Sequence, residues 1–269
     1  SGQSDKPPLL IPIKMGLIDD QGRDLEVSEL YNGDLFLLSE REQSITFKGI
    51  KSEVTPSLFR HFSAPVRVEF EYTDQHLKQL MRFETDGFNR WQAGQYLALR
   101  ELDRLIELAK SITDKEELIN AVSKDYLQVI EGVFDEEISD LYYHTLLLSL
   151  PSESYLMGRI ECVDPTVIVQ AREALKYGIA KHLYQKLINR FNDLYDQGKP
   201  HYDVNQMGRR ALVGLCLGYL SCLKVDETRR STIQEMAQML FDRSIGQNMT
   251  DTVTGLSALT YLGGETAKT

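Results

Sequence analysis

Val66-Arg67-Val68-Glu69-Phe70-Glu71-Tyr72 is followed without a break by Thr73-Asp74-Gln75-His76-Leu77-Lys78-Gln79-Leu80-Met81. In the first half Val66, Val68, Phe70 and Tyr72 alternate with Arg67, Glu69 and Glu71. That is the period of a strand with one buried face. In the second half Leu77, Leu80 and Met81 recur at helical spacing behind Thr73, a residue suited to an N-cap. The period changes here from two to 3.6 and does not change back. The stretch therefore predicts a β domain over residues 1–72 and a helical domain over 73–269.

Upstream of this switch the signals are those of short strands. Leu9 to Leu17 places Ile11, Ile13, Met15 and Leu17 on one face, and Pro12 on the other suits an edge strand. Asp19-Asp20-Gln21-Gly22 and Tyr31-Asn32-Gly33-Asp34 carry turn chemistry. Further strands are predicted at Leu35–Leu38, Ser44–Ile50 and Val54–Phe62. Short strands with closely spaced turns suggest a small antiparallel sandwich.

Downstream, Phe88, Trp91, Tyr96, Leu97, Leu99, Leu102 and Leu105 form one helical pattern. Thr113-Asp114-Lys115-Glu116 reads as a capping box ahead of Leu118, Ile119, Val122, Tyr126, Ile130 and Val133. Asp164-Pro165 opens a long helix whose stripe is Ile168, Ala171, Leu175, Ile179, Leu183, Leu187 and Phe191. Ala211–Leu223 is almost wholly apolar. At about a dozen residues it is shorter than the ~20 a spanning helix needs, and Arg209, Arg210 and Lys224 flank it, so a buried helix is expected. Two more patterns follow, through Ile233, Met236, Ala237, Leu240 and Phe241, then Val253, Leu256, Leu259 and Leu262. Asn248-Met249-Thr250 has the form of a glycosylation sequon but precedes a helical pattern, so Asn248 or Thr250 is expected to be an N-cap. Successive helices on short loops predict an α-superhelix, helical-repeat-like, with no clean period.

The bulk chemistry excludes several functions. A formal net charge of −10 argues against nucleic-acid or anionic-membrane partners. Cys162, Cys216 and Cys222 form no C-x-x-C pair, and the last two sit in an apolar stretch, which points to a reducing compartment. Ser1 to Lys6 is polar and lacks the apolar core of a secretory signal. Ser1-Gly2 has the look of a tag remnant, and the chain is expected to start inside a longer natural protein. No zinc-protease, phosphate-loop, dinucleotide or hydrolase-elbow motif occurs. His61, His76, His144, His182 and His201 are scattered, and His182, on an apolar stripe, is expected to be a hydrogen-bonded core residue. Asp135-Glu136-Glu137 with Asp140 lacks the alternating ligands and glycine of a calcium loop and reads as acids at a helix start. Trp91 is expected to anchor the core where the helices meet the sandwich. No catalytic, cofactor-binding or metal-binding residue is assigned.

Two sets of short segments stand in a characteristic order. The first is Leu10-Ile11-Pro12, Leu17-Ile18-Asp19 with Gly22, and Phe62-Ser63-Ala64-Pro65-Val66 with Thr73-Asp74-Gln75. The second is Leu80-Met81-Arg82, Arg90-Trp91 with Ala93, Asp164-Pro165 with Arg172-Glu173-Ala174-Leu175, and Asn248-Met249-Thr250-Asp251 with Leu256-Ser257-Ala258. On these segments the chain resembles the bacterial aminopeptidase N (alanyl aminopeptidase) family of zinc metallopeptidases, the first set looking like the entry and exit of its immunoglobulin-like domain and the second like its C-terminal helical domain.

The resemblance implies an immunoglobulin-like sandwich followed by the first part of an α-superhelix. It also implies an architectural role in a cytoplasmic enzyme that removes N-terminal residues from peptides. The zinc, its H-E-x-x-H ligands and the G-A-M-E-N strand would lie upstream of Ser1. This chain would hold no cofactor, be inactive alone, and have as partners the catalytic domain of the same polypeptide and the peptides of the parent enzyme. The competing expectation is a free-standing sandwich-plus-solenoid scaffold for protein partners. Apolar residues of the last helix are expected to stay uncovered, favouring self-association or fraying from Asn248, with Gly263-Gly264-Glu265-Thr266 as the helix stop.

Overall fold

A computed structural model describes residues 8–161, 164–195, 198–223 and 227–263. Three strands, β1 (Ile11–Asp19), β2 (Leu35–Leu38) and β3 (Val54–Leu58), precede eleven helices among these residues. The helices are α1 (Asp74–Phe83), α2 (Gly87–Ala109), α3 (Lys115–Asn120), α4 (Lys124–Phe134), α5 (Leu141–Leu147) and α6 (Glu153–Arg159). They continue as α7 (Pro165–His182), α8 (Tyr184–Leu194), α9 (Val204–Leu220), α10 (Glu227–Ser244) and α11 (Met249–Leu262). The β-then-α order is the one the period switch predicts. By compactness the chain forms two units, Ser1–Leu97 and Ala98–Thr269.

In the first unit the sheet order is β2-β1-β3, both pairs antiparallel. β1 is central, yet β2 pairs with its Ile11–Lys14 half and β3 with its Met15–Asp19 half, whose other side is bridged by Asp24. Pro12 therefore sits where the strand is an edge on its other side, so its missing N–H breaks no ladder. The two turns form as expected: Gly22 takes φ 80°, and Asn32 and Gly33 take 52° and 83°. Met15, Leu17, Val27 and Leu30 make the buried core, with Ile45, Phe47 and Ile50 packed partly against it.

Two expected strands are absent. Residues 44–50 contribute side chains to the core without pairing their backbone. Val66–Tyr72 is irregular, and two of its amides fold back on residue i−2, as Val66 N→Ala64 O and Tyr72 N→Phe70 O, both 3.0 Å. Alternation supplies two faces but not a neighbouring strand, and without one Val66, Val68 and Phe70 stay exposed while Tyr72, at the end of the segment, is half-buried. The run from Val54 also ends at Leu58, because Phe59, His61 and Phe62 adopt left-handed φ of 57°, 54° and 52° around a single 3-10 turn.

The second unit is all helix. α9 packs on α5, α7, α8, α10 and α11, which explains its apolar sequence: Leu212, Cys216, Leu217 and Leu220 are fully buried. Among the described residues no helix is long and apolar enough to cross a membrane. Lys224 lies outside those residues, as do Cys162 and Gly264-Glu265-Thr266. Capping follows the sequence at Thr73 (accepting from His76 N), Asp164 (from Thr166 N, ahead of Pro165) and Asn248 (from Thr250 N and Asp251 N).

Elsewhere the helices are more divided than their apolar stripes suggest. The box at Thr113 does not form. Asp114 is the cap, and its helix stops at Asn120. Ser123 caps α4 while its own N–H donates to Glu101 at 2.8 Å, so the break is held from outside. The long stripe from Ile168 to Phe191 is buried throughout but bends at Leu183 (φ −97°, ψ 11°), with neither Pro nor Gly to mark it.

Candidate functional site

In the first unit, polar side chains concentrate where the strands meet α1 and α2. Arg60, 8% exposed, donates from Nε to Ser57 Oγ at 3.1 Å. It pairs with Asp24 at 2.5 Å and with the buried carboxylate of Glu84 at 3.1 Å. Its guanidinium lies over Gly16, where a Cβ would stand 2.2 Å from Nη1. Asn89 donates to Ser57 Oγ and Leu58 O, and Gln79 accepts from Thr55 Oγ1. The His61 amide donates to Asp86 at 2.9 Å. Asp19, at the end of β1, accepts from the amides of Arg23 and Gln21, and the Arg23 amide above all holds its carboxyl below the usual range. Trp91 is half-buried in a run of rings, 5.6 Å from Phe88, which is 4.4 Å from Phe62. The anchor expected of Trp91 is thus shared with Phe88 and Asn89.

These side chains tie the strands to α1 and the start of α2. Every charged group among them is matched by a fixed partner, and a buried ion network of that kind specifies geometry more than it adds stability.

In the second unit, a cleft of about 750 Å³ is bounded by the start of α3, by Glu173 and Tyr177 of α7, by Cys222, and by Arg230 and Tyr261. Lys115 pairs with Glu173 at 3.4 Å, and Arg230 donates to Leu262 O and Gly263 O. Burial pushes the Cys222 thiol up to about 12, and it donates to Tyr219 O. It therefore stays protonated at neutral pH and is a poor nucleophile. No histidine lines the cleft.

The remaining residues singled out in the sequence fall apart in space. His182 is exposed and bonded to Glu131 at 2.8 Å, because it lies just off the stripe carried by Ile179 and Leu183. The core histidine is instead His144, fully buried, with Nε2 2.9 Å from Val133 O. Asp135 caps the end of α4 and pairs with Lys186, whereas Asp140 caps the start of α5, so the acidic run spans two helix ends and not one start. Among the described residues no three of His, Cys, Asp or Glu come together to hold a metal ion.

Comparison with known proteins divides the chain between residues 71 and 74, ahead of the boundary between the two compact units. Residues 1–71 match a family model described as a domain of unknown function (DUF3458) with an Ig-like fold. Residues 74–269 match its companion, DUF3458_C, described as ARM repeats. The chain belongs to the DUF3458_C family. It is similar to aminopeptidase N of Haemophilus influenzae, at 29% identity over 96% of this chain and 28% of that protein. It is similar to aminopeptidase N of Caulobacter vibrioides, at 30% over 93% of this chain and 27% of that protein. A solved structure, Legionella pneumophila aminopeptidase A in complex with aspartic acid, superposes with a TM-score of 0.75 at 26% identity, covering 96% of this chain and 29% of that one. The resemblance read from the sequence holds, and the chain spans little more than a quarter of these relatives' length.

Sequence reasoning missed the Arg60 network, since a lone arginine in a strand-to-helix connection carries no motif. It also passed over Arg209 and Arg210 as mere flanks of an apolar helix.

Proposed function

We propose that this chain is the non-catalytic spacer and chamber wall of a zinc aminopeptidase, held in one polypeptide with a catalytic domain. The observation that carries it is the extent of the match: more than nine-tenths of the chain aligns with aminopeptidase N relatives, over an Ig-like and an ARM-repeat region. In this reading the β region and α1, pinned by Arg60, set a fixed spacing, and the helices limit which peptides reach the reacting zinc. The residues described here do not fit a zinc site, so no step of peptide hydrolysis is assigned to them. The free thiols of Cys216 and Cys222 among the described residues fit a reducing, cytoplasmic location for the enzyme.

Metal analysis and an alanyl-anilide assay on the purified chain test the reading. It should carry no stoichiometric zinc and release no aniline. One tightly held zinc per chain, with activity lost on chelation, overturns it. The flanking gene sequence gives a second check, since an H-E-x-x-H upstream in the same reading frame is required.

A further inference from the structure

We infer that an arginine-lined pocket where the ends of α8 and α10 meet the starts of α9 and α11, together with the groove beside it, binds a peptide through a carboxylate. Arg209, Arg210 and Arg243 all line this pocket, and all three are half-buried. Their hydrogen bonds go to neutral acceptors. Arg209 donates to Leu194 O at 3.3 Å from Nη2, Arg210 to Gln206 Oε1 at 3.3 Å, and Arg243 to Gly198 O. Arg243 also lies 5.6 Å over the Tyr195 ring. Nowhere among the described residues does any of the three come within ion-pair distance of a carboxylate.

Asp251 lines the same pocket and accepts a hydrogen bond from Asn248 Nδ2 at 2.6 Å; desolvation raises its pKa, against the pull of Arg210 and Arg243. In a chain of net charge −10, three guanidinium groups gathered around one half-buried acid among the described residues make a local site for an added anion. Guanidinium favours planar, two-oxygen acceptors, and the pocket, of about 30 Å³, is on the scale of such a small group.

What lies beside the pocket names the rest of the ligand. Pro200, Arg210 and Asn248 are shared with a groove of about 560 Å³, whose walls include Tyr142, Tyr202, Met207 and Met249. Tyr202 is 90% and Met249 76% exposed. Flexible methionines and rigid tyrosines make an apolar surface that adapts to varied side chains. An inorganic anion would use the arginines and leave this surface bare. A peptide with a free carboxylate would use both.

This inference builds on the reading of the chain as a wall facing peptides, but it is tested on this chain alone. An absent binding site would leave the wall reading standing. The whole chain is titrated with N-acetyl-Leu-Phe, with its C-terminal amide, and with inorganic phosphate, and binding is followed by calorimetry. The free acid should bind about tenfold or more tightly than the amide, the scale of one lost charge-assisted hydrogen bond. Phosphate should bind more weakly than the free acid. Arg210→Gln with Arg243→Gln should remove the preference for the acid, and Tyr202→Ser with Met249→Ser should weaken peptide but not phosphate. Equal binding of acid and amide, or no binding of either, overturns the proposal, and because these are measured on the wild-type chain they stand even if a variant fails to fold. Phosphate binding as tightly as the peptide overturns the assignment to a peptide.

Discussion

At the scale of residues, the determining feature is Arg60. Its guanidinium reaches Asp24 and Glu84 only because Gly16 leaves room above β1. Removing one partner of a buried ion pair leaves the other charge without compensation, which costs about 3–5 kcal/mol. Arg60→Met should therefore destabilise the first unit by about that amount. Gly16→Ala should do nearly the same by driving the guanidinium out. Arg60→Met with Glu84→Gln should recover much of the loss. Urea unfolding followed by Trp91 fluorescence measures all three, and a loss below about 1 kcal/mol for Arg60→Met would mean that Glu84 finds another partner. None of these contacts was legible in the sequence, because Arg60 meets Asp24 and Glu84 across distant elements.

At the scale of elements, apolar stripes located the helices but not their ends. Ile168 through Phe191 form one buried stripe although the backbone bends at Leu183. A stripe reports which side chains are covered, and it persists across a bend that keeps the same face inward. The glycines show the converse. Gly255 of α11 lies so close to α10 that a Cβ would stand 2.8 Å from Phe241 N and 2.9 Å from Ala237 O. Gly132 of α4 is exposed, with nothing within 4 Å of its Cβ position. Gly255→Ala should cost about 1–3 kcal/mol, since backbone atoms have little room to yield. Gly132→Ala should gain about 0.4–1 kcal/mol through helix propensity and a less mobile unfolded chain. Thermal melts of the two variants should move in opposite directions, and a shared direction would refute the close approach of α10 and α11.

At the scale of the whole molecule, α11 presents an unusual face to solvent. Met249, Val253 and Leu256 follow one another at i, i+4 and i+7, are about half exposed or more, and have only Thr and Ser beside them on that face. Leu259 and Leu262, expected to be uncovered as well, are instead buried. An uncharged apolar stripe is complementary to itself. The isolated chain should self-associate through it at high concentration, and Val253→Glu with Leu256→Glu should return it to a monomer with an unchanged circular dichroism spectrum. Sedimentation checks this. A wild-type chain that stays monomeric at millimolar concentration shows the face to be well solvated as it stands.

The order of strands then helices, the buried character of α9, the caps at Thr73 and Asp164, and the likeness to aminopeptidase N were all determined by the sequence alone. Each depends on neighbours a few residues apart or on short motifs read in order. The irregular course of Val66–Tyr72, the bend at Leu183, the exchange of His182 for His144 in the core, and the meeting of Arg209, Arg210 and Arg243 were decided by tertiary structure. In those cases the outcome turned on which distant group lay alongside. A strand needs a second strand to pair with, a histidine becomes buried only where other elements close over it, and three arginines from two helices form one site only after α9 and α10 have packed.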